Sequence, residues 1–431
     1  MYLLNPLSGA FSRFDSIQLQ REWSHLKNGK AASNELVEHL KSKSFLFEKK
    51  EEEDDLTLKL RMLDNKVTNM TLRCNIILTY DCNLNCSYCF EKGIDRKHKV
   101  MSIKNAENCL NILKDLSVDY EKVEIVLFGG EPLLYNSAQQ KCIEYILNYS
   151  NNESWEVDIV TNGVDLKKYV PLLKRYENIS QIQVTIDGPK ELHDLRRPKE
   201  DGTGSFEDIE KSIDMALANN LKIACRINVD KENVNSLPDI IQFFEQKNWY
   251  DYKFISYSGV TFDFLGDYEY EEHPHIILKK MLKMRLENEK MKKLSFEAWE
   301  PLQFILYPYF TGKTKIPKFK FCSAQRSEIS MDLNGKVYFC VDSVGRSEYE
   351  MGYYNNTITL NFESANKLRE YDVTQTKDIC DNCNLQLCCG GGCWFKKDIT
   401  NSKGCTQKLK PLLQTAIEFL HYHPEVFNAY K

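Results

Sequence analysis

The chain has 431 residues, with 57 lysines and arginines against 62 aspartates and glutamates and a formal charge of −5. A hydrophobic fraction of 42% and a charged fraction of 28% are those of a globular protein with a buried core, and they exclude a disordered or fibrous chain. No run of 18 apolar residues occurs, which excludes a membrane-spanning helix, and mild acidity gives no electrostatic basis for sequence-independent nucleic-acid binding. The count that stands apart is 15 cysteines. The opening MYLLNPLSGAF has no basic n-region and no long apolar core, so a cytoplasmic protein is expected. Its cysteines are then expected to ligate metal or clusters rather than pair as disulfides.

In chain order, residues 1–65 read as a small α+β unit. Extended stretches at 2–5 and 10–14 flank the turn Pro6-Leu7-Ser8-Gly9, and helical patterns follow at 17–26 and 35–41. The charged run 48–55 reads as a solvated linker or wing. Over 70–265, apolar strands alternate with amphipathic helices. The strands are expected at 75–80, 123–128, 157–161, 182–186, 223–229 and 252–257, the helices at 103–116, 137–149, 166–176, 205–219 and 235–246. Only long crossovers return a chain to the same edge of a sheet, so this alternation predicts parallel pairing. The expected fold is α/β, a partial (β/α)6 TIM barrel whose ligands gather at the C-terminal ends of the strands. Residues 266–321 form a helical connection. Residues 322–431 are a Cys-rich domain of short strands and turns, closed by a helical pattern at 407–420.

After the first strand comes Cys82-Asn-Leu-Asn-Cys86-Ser-Tyr-Cys89, a C-x3-C-x2-C spacing. Three thiolates within eight residues can hold three irons of a cubane and leave the fourth open. A structural zinc site needs a fourth ligand in tetrahedral closure, and neither Cys74 nor His98 stands at a usual zinc spacing. The segment CNLNCSYCF, with Tyr88 just before the third cysteine, resembles the cluster loop of the radical S-adenosylmethionine (SAM) superfamily. The resemblance extends over 74–260. Phe128-Gly129-Gly130-Glu131-Pro132 follows the second strand, where that family holds the methionyl amino group of SAM. Glycines let backbone approach a ligand and a carboxylate accepts from an ammonium. By the same resemblance, Asn162, Thr185 and Asp187 at later strand ends contact the ribose and carboxylate of SAM, with Asn228 a weaker candidate. DGPKELHDLRR (187–197) resembles a peptide-modifying branch in which a following arginine reaches the SAM carboxylate. Arg196 and Arg197 both fit that position, and a solvated helix face fits either as well; Arg197 is carried forward.

The second group reads C-x12-G-x4-C … C-x2-C-x5-C-x3-C … C, from Cys322 through Cys340, Cys380, Cys383, Cys389 and Cys393 to Cys405. This spacing resembles the seven-cysteine SPASM domain, an extension that carries auxiliary [4Fe–4S] clusters; a zinc ribbon would show two C-x2-C halves. The resemblance implies that Cys380, Cys383, Cys389 and Cys405 close one cluster, and that Cys322, Cys340 and Cys393 hold another. Two closed cubanes need eight donors and the motif supplies seven. The last position is open, or is filled by Cys388 or by an oxygen ligand. Of the five cysteines outside the two motifs, Cys109, Cys142 and Cys225 lie in apolar patterns and read as buried structural residues.

The resemblance implies SAM and three [4Fe–4S] clusters as cofactors, and a flavodoxin- or ferredoxin-type reductant. It also implies a peptide or protein substrate, with no nucleic acid and no membrane as partner. The expected activity is maturation of a ribosomal precursor peptide by a thioether or carbon–carbon crosslink. Formylglycine formation of the anaerobic sulfatase-maturase type is the alternative. In those maturases an aspartate follows the cysteine of GKVYFC directly as a proposed base, whereas here Val341 does, with Asp342 one position on. A one-residue slip in a strand reverses the facing, so Asp342 is only a weak catalytic candidate. A zinc or Fe–S peptide-binding or electron-transfer module is the alternative from another class. The hairpin and helices of 1–65 resemble a reduced leader-recognition domain, which would take a peptide onto a sheet edge; a cap over the barrel fits equally.

Overall fold

A computed structural model describes the chain except residues 69, 96–97, 262–271, 297–298, 377–379, 381, 400–408 and 429–431. The N-terminal unit begins with the hairpin β1 (Tyr2–Leu4) and β2 (Phe11–Arg13), paired antiparallel. Helices α1 (Ile17–Lys27) and α2 (Asn34–Ser42) follow, capped by the hydroxyls of Ser16 and Ser33, which accept from Leu19 N and Leu36 N. Phe14, Leu36 and Leu40 form a small apolar centre between them.

The charged run is not a linker. It opens the 19-residue helix α3 (Lys50–Thr68). Glu51, Glu52 and Glu53 lie in its first turn, where carboxylates complement the helix dipole, and Lys50 pairs with Glu53 and Asp54 one turn on. Such local terms contribute only tenths of a kcal/mol each, roughly 0.2–0.5 per pair. What fixes the helix is its other face. Leu56 and Leu60 pack with Leu7, Phe319 and Val373, and the Arg61 guanidinium lies over the Phe319 ring and pairs with Asp372 at 2.7 Å. Asp64, buried, pairs with Arg326 at 3.0 Å. The helix thus rests on the cysteine-rich region.

The core alternates as expected: β3 (Thr71–Ile77), α4 (Ile103–Leu116), β4 (Lys122–Phe128), α5 (Ser137–Asn152), β5 (Glu156–Thr161), α6 (Leu166–Leu173), β6 (Ile179–Thr185), α7 (Lys190–Arg196), α8 (Phe206–Ala218), β7 (Ile223–Val229), α9 (Leu237–Gln246) and β8 (Phe254–Val260). Strands β3 to β8 are parallel neighbours in sequence order, the partial barrel that the alternation predicts. Their outer faces are closed by helix residues such as Leu110, Ile143, Ile213 and Phe244, all buried. Helix α10 (Pro274–Glu287), the short strand β9 (Leu294–Ser295), parallel to β8, and α11 (Glu300–Thr311) make the connection.

The sheet does not end with the barrel. β10 (Glu328–Asp332) pairs in parallel with β3, Ser330 opposite Asn75, and β11 (Lys336–Tyr338), β12 (Gly352–Tyr354) and β13 (Ile358–Leu360) continue it antiparallel. The result is one 11-stranded sheet that carries both cysteine groups. Helices α12 (Phe362–Arg369), α13 (Gln386–Cys389), α14 (Trp394–Ile399) and α15 (Leu409–Tyr422) complete the fold. No described helix is long and apolar enough to cross a membrane.

Candidate functional site

Because β3 to β7 are parallel, the segments that follow them lie at one end of the sheet. The loop after β3 carries Cys82, Cys86 and Cys89, all half-buried. Its root is held by Tyr80, whose hydroxyl donates to Asp332 at 2.8 Å, and by Gly130 N and Glu131 N, which donate to the Thr79 and Asp81 carbonyls at 2.9 and 2.8 Å. The strap beyond α7 holds the outside: Asn85 N donates to Pro198 O at 2.8 Å, and Ser87 N to Arg196 O at 3.1 Å. Cys82 Sγ accepts from Leu84 N at 3.4 Å and from the Asn162 amide at 3.7 Å, contacts that favour a thiolate. Burial raises Cys89 to about 11, with Glu91 adding to the shift.

Gly129 has φ +129, and a Cβ there would come within 2.3 Å of Thr79 O; one on Gly130 would meet Asp81 O at 2.4 Å. Glycine is therefore required where the second strand end crosses the first. The Glu131 carboxylate is 0% exposed and takes three donors: Leu133 N at 2.8 Å, Thr161 Oγ1 at 2.5 Å and Asn162 N at 2.6 Å. Burial raises it to about 7 against these bonds. One lone-pair position of Oε2 remains beyond them.

Thr185, the last residue of β6, and Asp187 just beyond it are buried. The Tyr88 hydroxyl donates to Asp187 Oδ2 and accepts from Arg197 Nη1 at 2.6 Å and Asn228 Nδ2 at 3.1 Å. The structure separates the two arginines. Arg196, 1% exposed, is engaged through both terminal nitrogens by Asp230 at 2.8 Å, Glu232 at 2.6 Å and the Asn228 carbonyl at 3.3 Å, while its Nε faces Asp187 at 3.6 Å. Both guanidinium groups lie over the Tyr88 ring, but only Arg197 donates to its hydroxyl, and Arg197 is within electrostatic reach of Cys86.

His193 escapes sequence reasoning because a lone histidine on a short helix carries no pattern. It is fully buried, with Nδ1 accepting from Asp187 N at 3.2 Å and Nε2 facing Ser205 Oγ at 3.1 Å. The Ser205 hydroxyl donates to Arg197 O at 2.7 Å, so Nε2 carries the histidine proton. Burial, reinforced by Arg197, lowers its pKa from 6.5 to about 3. An unfolded chain takes up a proton near pH 6.5 that the fold refuses. Stability is therefore full above that value and falls as pH drops toward 3, at up to about 1.4 kcal/mol per unit. Denaturant titrations of the anaerobic protein at pH 5 and 6 are expected to show this slope, and His193→Asn to lose it. An unchanged slope in the variant would remove the assignment.

In the cysteine-rich region, Cys322 stands before β10, Cys340 after β11 and Cys393 before α14. The three act on one another: burial and then Cys393 raise Cys322 to about 12, while Cys393 and Cys322 both push Cys340 up. Cys380 Sγ faces Gly391 O at 3.9 Å and Lys397 Nζ at 3.8 Å, and Cys383 N closes a turn on Cys380 O at 3.0 Å. Cys388 is buried and acted on by Cys389 and Cys383. Cys405 lies outside the described residues. Asp342 sits in a 3-10 turn, Val341–Ser343, where burial and Glu328 hold its carboxyl up at about 6 against the pull of Arg226. Cys74, Cys109, Cys142 and Cys225 are buried in the core. Among the described residues, no three histidine, cysteine or acidic side chains are grouped to hold a single metal ion.

The two regions touch directly. Arg346 donates to the Phe90 carbonyl at 2.8 Å, and Gly345 packs under Ile94 and Tyr80 of the first loop.

Residues 76–244 match the family model described as the Radical SAM superfamily. A cysteine-type anaerobic sulfatase-maturating enzyme of Clostridium novyi is 27% identical over 339 residues, which are 74% of this chain and 86% of that protein. The radical SAM cyclopropyl synthase TigE of Paramaledivibacter caminithermalis is 25% identical over 372 residues, 80% of this chain and 73% of its own. The structure titled native anSMEcpe with bound AdoMet superposes with a TM-score of 0.61 at 20% identity, over 82% of this chain and 98% of that one. Streptococcus suis SuiB bound to precursor peptide SuiA superposes with a TM-score of 0.56 at 14% identity, over 95% and 97%. The two superpositions establish the shared fold, and the sequence matches the family. The parallel core with its cysteine loop is thus a radical SAM domain over residues 76–244, and the chain is an enzyme built on it.

Proposed function

We propose that this enzyme matures a ribosomally made precursor peptide, forming a thioether or carbon–carbon crosslink at one of its side chains. The observation that carries this reading is the extent of the match to SuiB: coverage of 95% takes in most of the N-terminal unit as well as both cysteine regions. The structure of SuiB is titled as bound to a precursor peptide, and the relative TigE is named for a ring-forming reaction. Formylglycine formation is the second reading, supported by the identity to the sulfatase-maturating enzyme.

In this reading Cys82, Cys86 and Cys89 hold a [4Fe–4S] cluster, and the donor set fits it: three thiols within one loop, on a glycine crossing that any Cβ would fill. When bound, that cluster and SAM supply a 5′-deoxyadenosyl radical by reductive cleavage, and the radical removes hydrogen from a substrate carbon. The chain's own groups do the holding. Glu131 locks the ends of β4 and β5 and keeps one acceptor position for the methionyl ammonium. Arg197, steered by Tyr88, offers its remaining donors to the carboxylate, while Asn162, Thr185 and Asp187 frame the ribose. Arg196 is spoken for by three carboxylates and serves structure. The seven later cysteines hold two auxiliary clusters, electrons enter from a flavodoxin- or ferredoxin-type reductant, and the N-terminal unit presents the leader of the peptide.

Arg197→Ala is accordingly expected to weaken SAM binding by roughly 10- to 100-fold, the loss of one charged hydrogen bond. Calorimetric SAM affinity at unchanged iron content measures it; an unaltered affinity refutes that assignment. The whole reading is tested by anaerobic reconstitution to about 12 irons, three cubanes of four, followed by reductant, SAM and candidate peptide. The expected products are 5′-deoxyadenosine and a peptide lighter by two hydrogens. A peptide aldehyde would establish the second reading, and absence of 5′-deoxyadenosine would refute both.

A further inference from the structure

The two faces of the barrel sheet differ in kind. Along β5 and β8 burial alternates residue by residue, and β7 joins the pattern from Cys225 onward. The helix side, with Ile159, Cys225 and Ile227, is fully closed. The inner side is less buried and carries Asp158, Arg226, Asn228 and Tyr257. A packed barrel fills its interior with branched apolar side chains, so a polar and accessible interior leaves room for a polar ligand.

Arg226 is half-buried on that side, with Thr185 opposite it on β6 and Tyr257 on β8. Its Nε donates to Asn228 Oδ1 at 2.8 Å, and the Asn228 amide donates to the Tyr88 hydroxyl at 3.1 Å. The guanidinium therefore stands one pleat deeper in the barrel than the groups around Tyr88. Gly259, opposite Asn228, makes the space: a Cβ there would come within 2.9 Å of Arg226 Nη2 and 3.2 Å of Cζ. A glycine inside a strand weakens it and marks the close approach of another group.

The charged groups lower on this face are already engaged, Arg73 by Glu124 at 3.2 Å and Asp158 by the Gln181 amide at 3.2 Å. Arg226 makes no ion pair among the described residues; it attracts Asp342 without pairing with it. Its neighbours Thr185, Asn228 and Tyr257 are uncharged, and the Tyr257 hydroxyl is given to Gln183 Oε1. A guanidinium fork matches a carboxylate with two parallel hydrogen bonds, and the attraction is stronger in a barrel interior than in bulk water.

We propose that Arg226 sets substrate specificity by binding a carboxylate of the precursor peptide inside the barrel. The proposal rests on the reading that the substrate is a peptide, and it adds the chemistry that the barrel selects. That carboxylate belongs to an aspartate or glutamate side chain or to the peptide's C-terminus.

The test uses the full chain, reconstituted anaerobically and loaded with SAM, to retain pools of short synthetic peptides read by mass spectrometry. Each pool fixes its central residue as aspartate, glutamate, asparagine, glutamine or lysine and has an amidated C-terminus. Another pair of pools, without a fixed residue, differs only in a free or an amidated C-terminus. Wild type is expected to retain acidic pools, or the free C-terminus, roughly 10- to 100-fold over their amide counterparts. Arg226→Gln is expected to lose the preference and Arg226→Glu to turn it toward lysine, with calorimetric SAM affinity and iron content unchanged. Gly259→Ala, which pushes the guanidinium aside and keeps its charge, is expected to weaken the preference. A wild type that retains pools without regard to charge would overturn the proposal. So would a preference that survives Arg226→Gln, or that survives Gly259→Ala where the first variant loses iron. A fall in SAM affinity with the preference intact would assign Arg226 to the carboxylate of SAM instead. Retention of no pool at all would overturn the peptide-substrate reading beneath it.

Discussion

Replacing Arg196 with alanine is expected to destabilise the fold by about 3–5 kcal/mol, the cost of stripping a buried ion network of its cation. The guanidinium is almost wholly enclosed, and its removal leaves Asp230 and Asp187, both 0% exposed, without their main counter-charge. Asn228 and Asn233 bridge the same carbonyls and carboxylates, so the turn after β7 and the Asp187 turn loosen together. Chemical denaturation under nitrogen measures the loss. A change below about 1 kcal/mol, the range of an exposed pair, would show that water or rearrangement compensates. Arg197→Ala, in its proposed ligand-directed role, should lack this penalty.

Gly130→Ala is expected to eliminate SAM cleavage, lowering 5′-deoxyadenosine formation by at least about 100-fold, because displacements of about 1 Å at a reacting site cost that much. The added carbon would stand 2.4 Å from Asp81 O and 2.5 Å from Tyr80 O, both backbone atoms with no rotamer to yield. The loop that begins there must shift, and Cys82 with it. Iron content is expected to fall by about four per chain, the irons of one cubane. Full iron and a full rate would mean the crossing relaxes without moving the thiols.

The legible part of this protein is what local pattern dictates. Apolar runs such as 223–229 form strands with the predicted bounds, and the motifs after them share one end because parallel pairing leaves no other arrangement. The charged run 48–55 was misleading for a physical reason. Its charges describe only the solvent face, whereas Leu56, Leu60, Arg61 and Asp64 find partners more than 250 positions away. The continuity of the sheet through β10 was hidden likewise, since Glu328–Asp332 is a short strand whose partner β3 is remote in sequence. At the site, the cysteine spacings and the GGEP segment could be read directly. The surroundings of Arg196, Arg197 and His193 could not be, because they depend on which carboxylates and hydroxyls the fold brings around them.

The parallel pairing of β10 with β3 sets a condition on biosynthesis. Asn75 and Ser330, hydrogen-bonded across that seam, are 255 residues apart, so β3 leaves the ribosome about 13–50 s before its second neighbour exists. During that interval the strand leading into the cysteine loop is a bare sheet edge, apolar and open to pairing with another nascent chain. Late-terminated fragments that hold the whole barrel but stop short of residue 328 should therefore aggregate, and metal loading of the first loop gains its final support only at the close of synthesis.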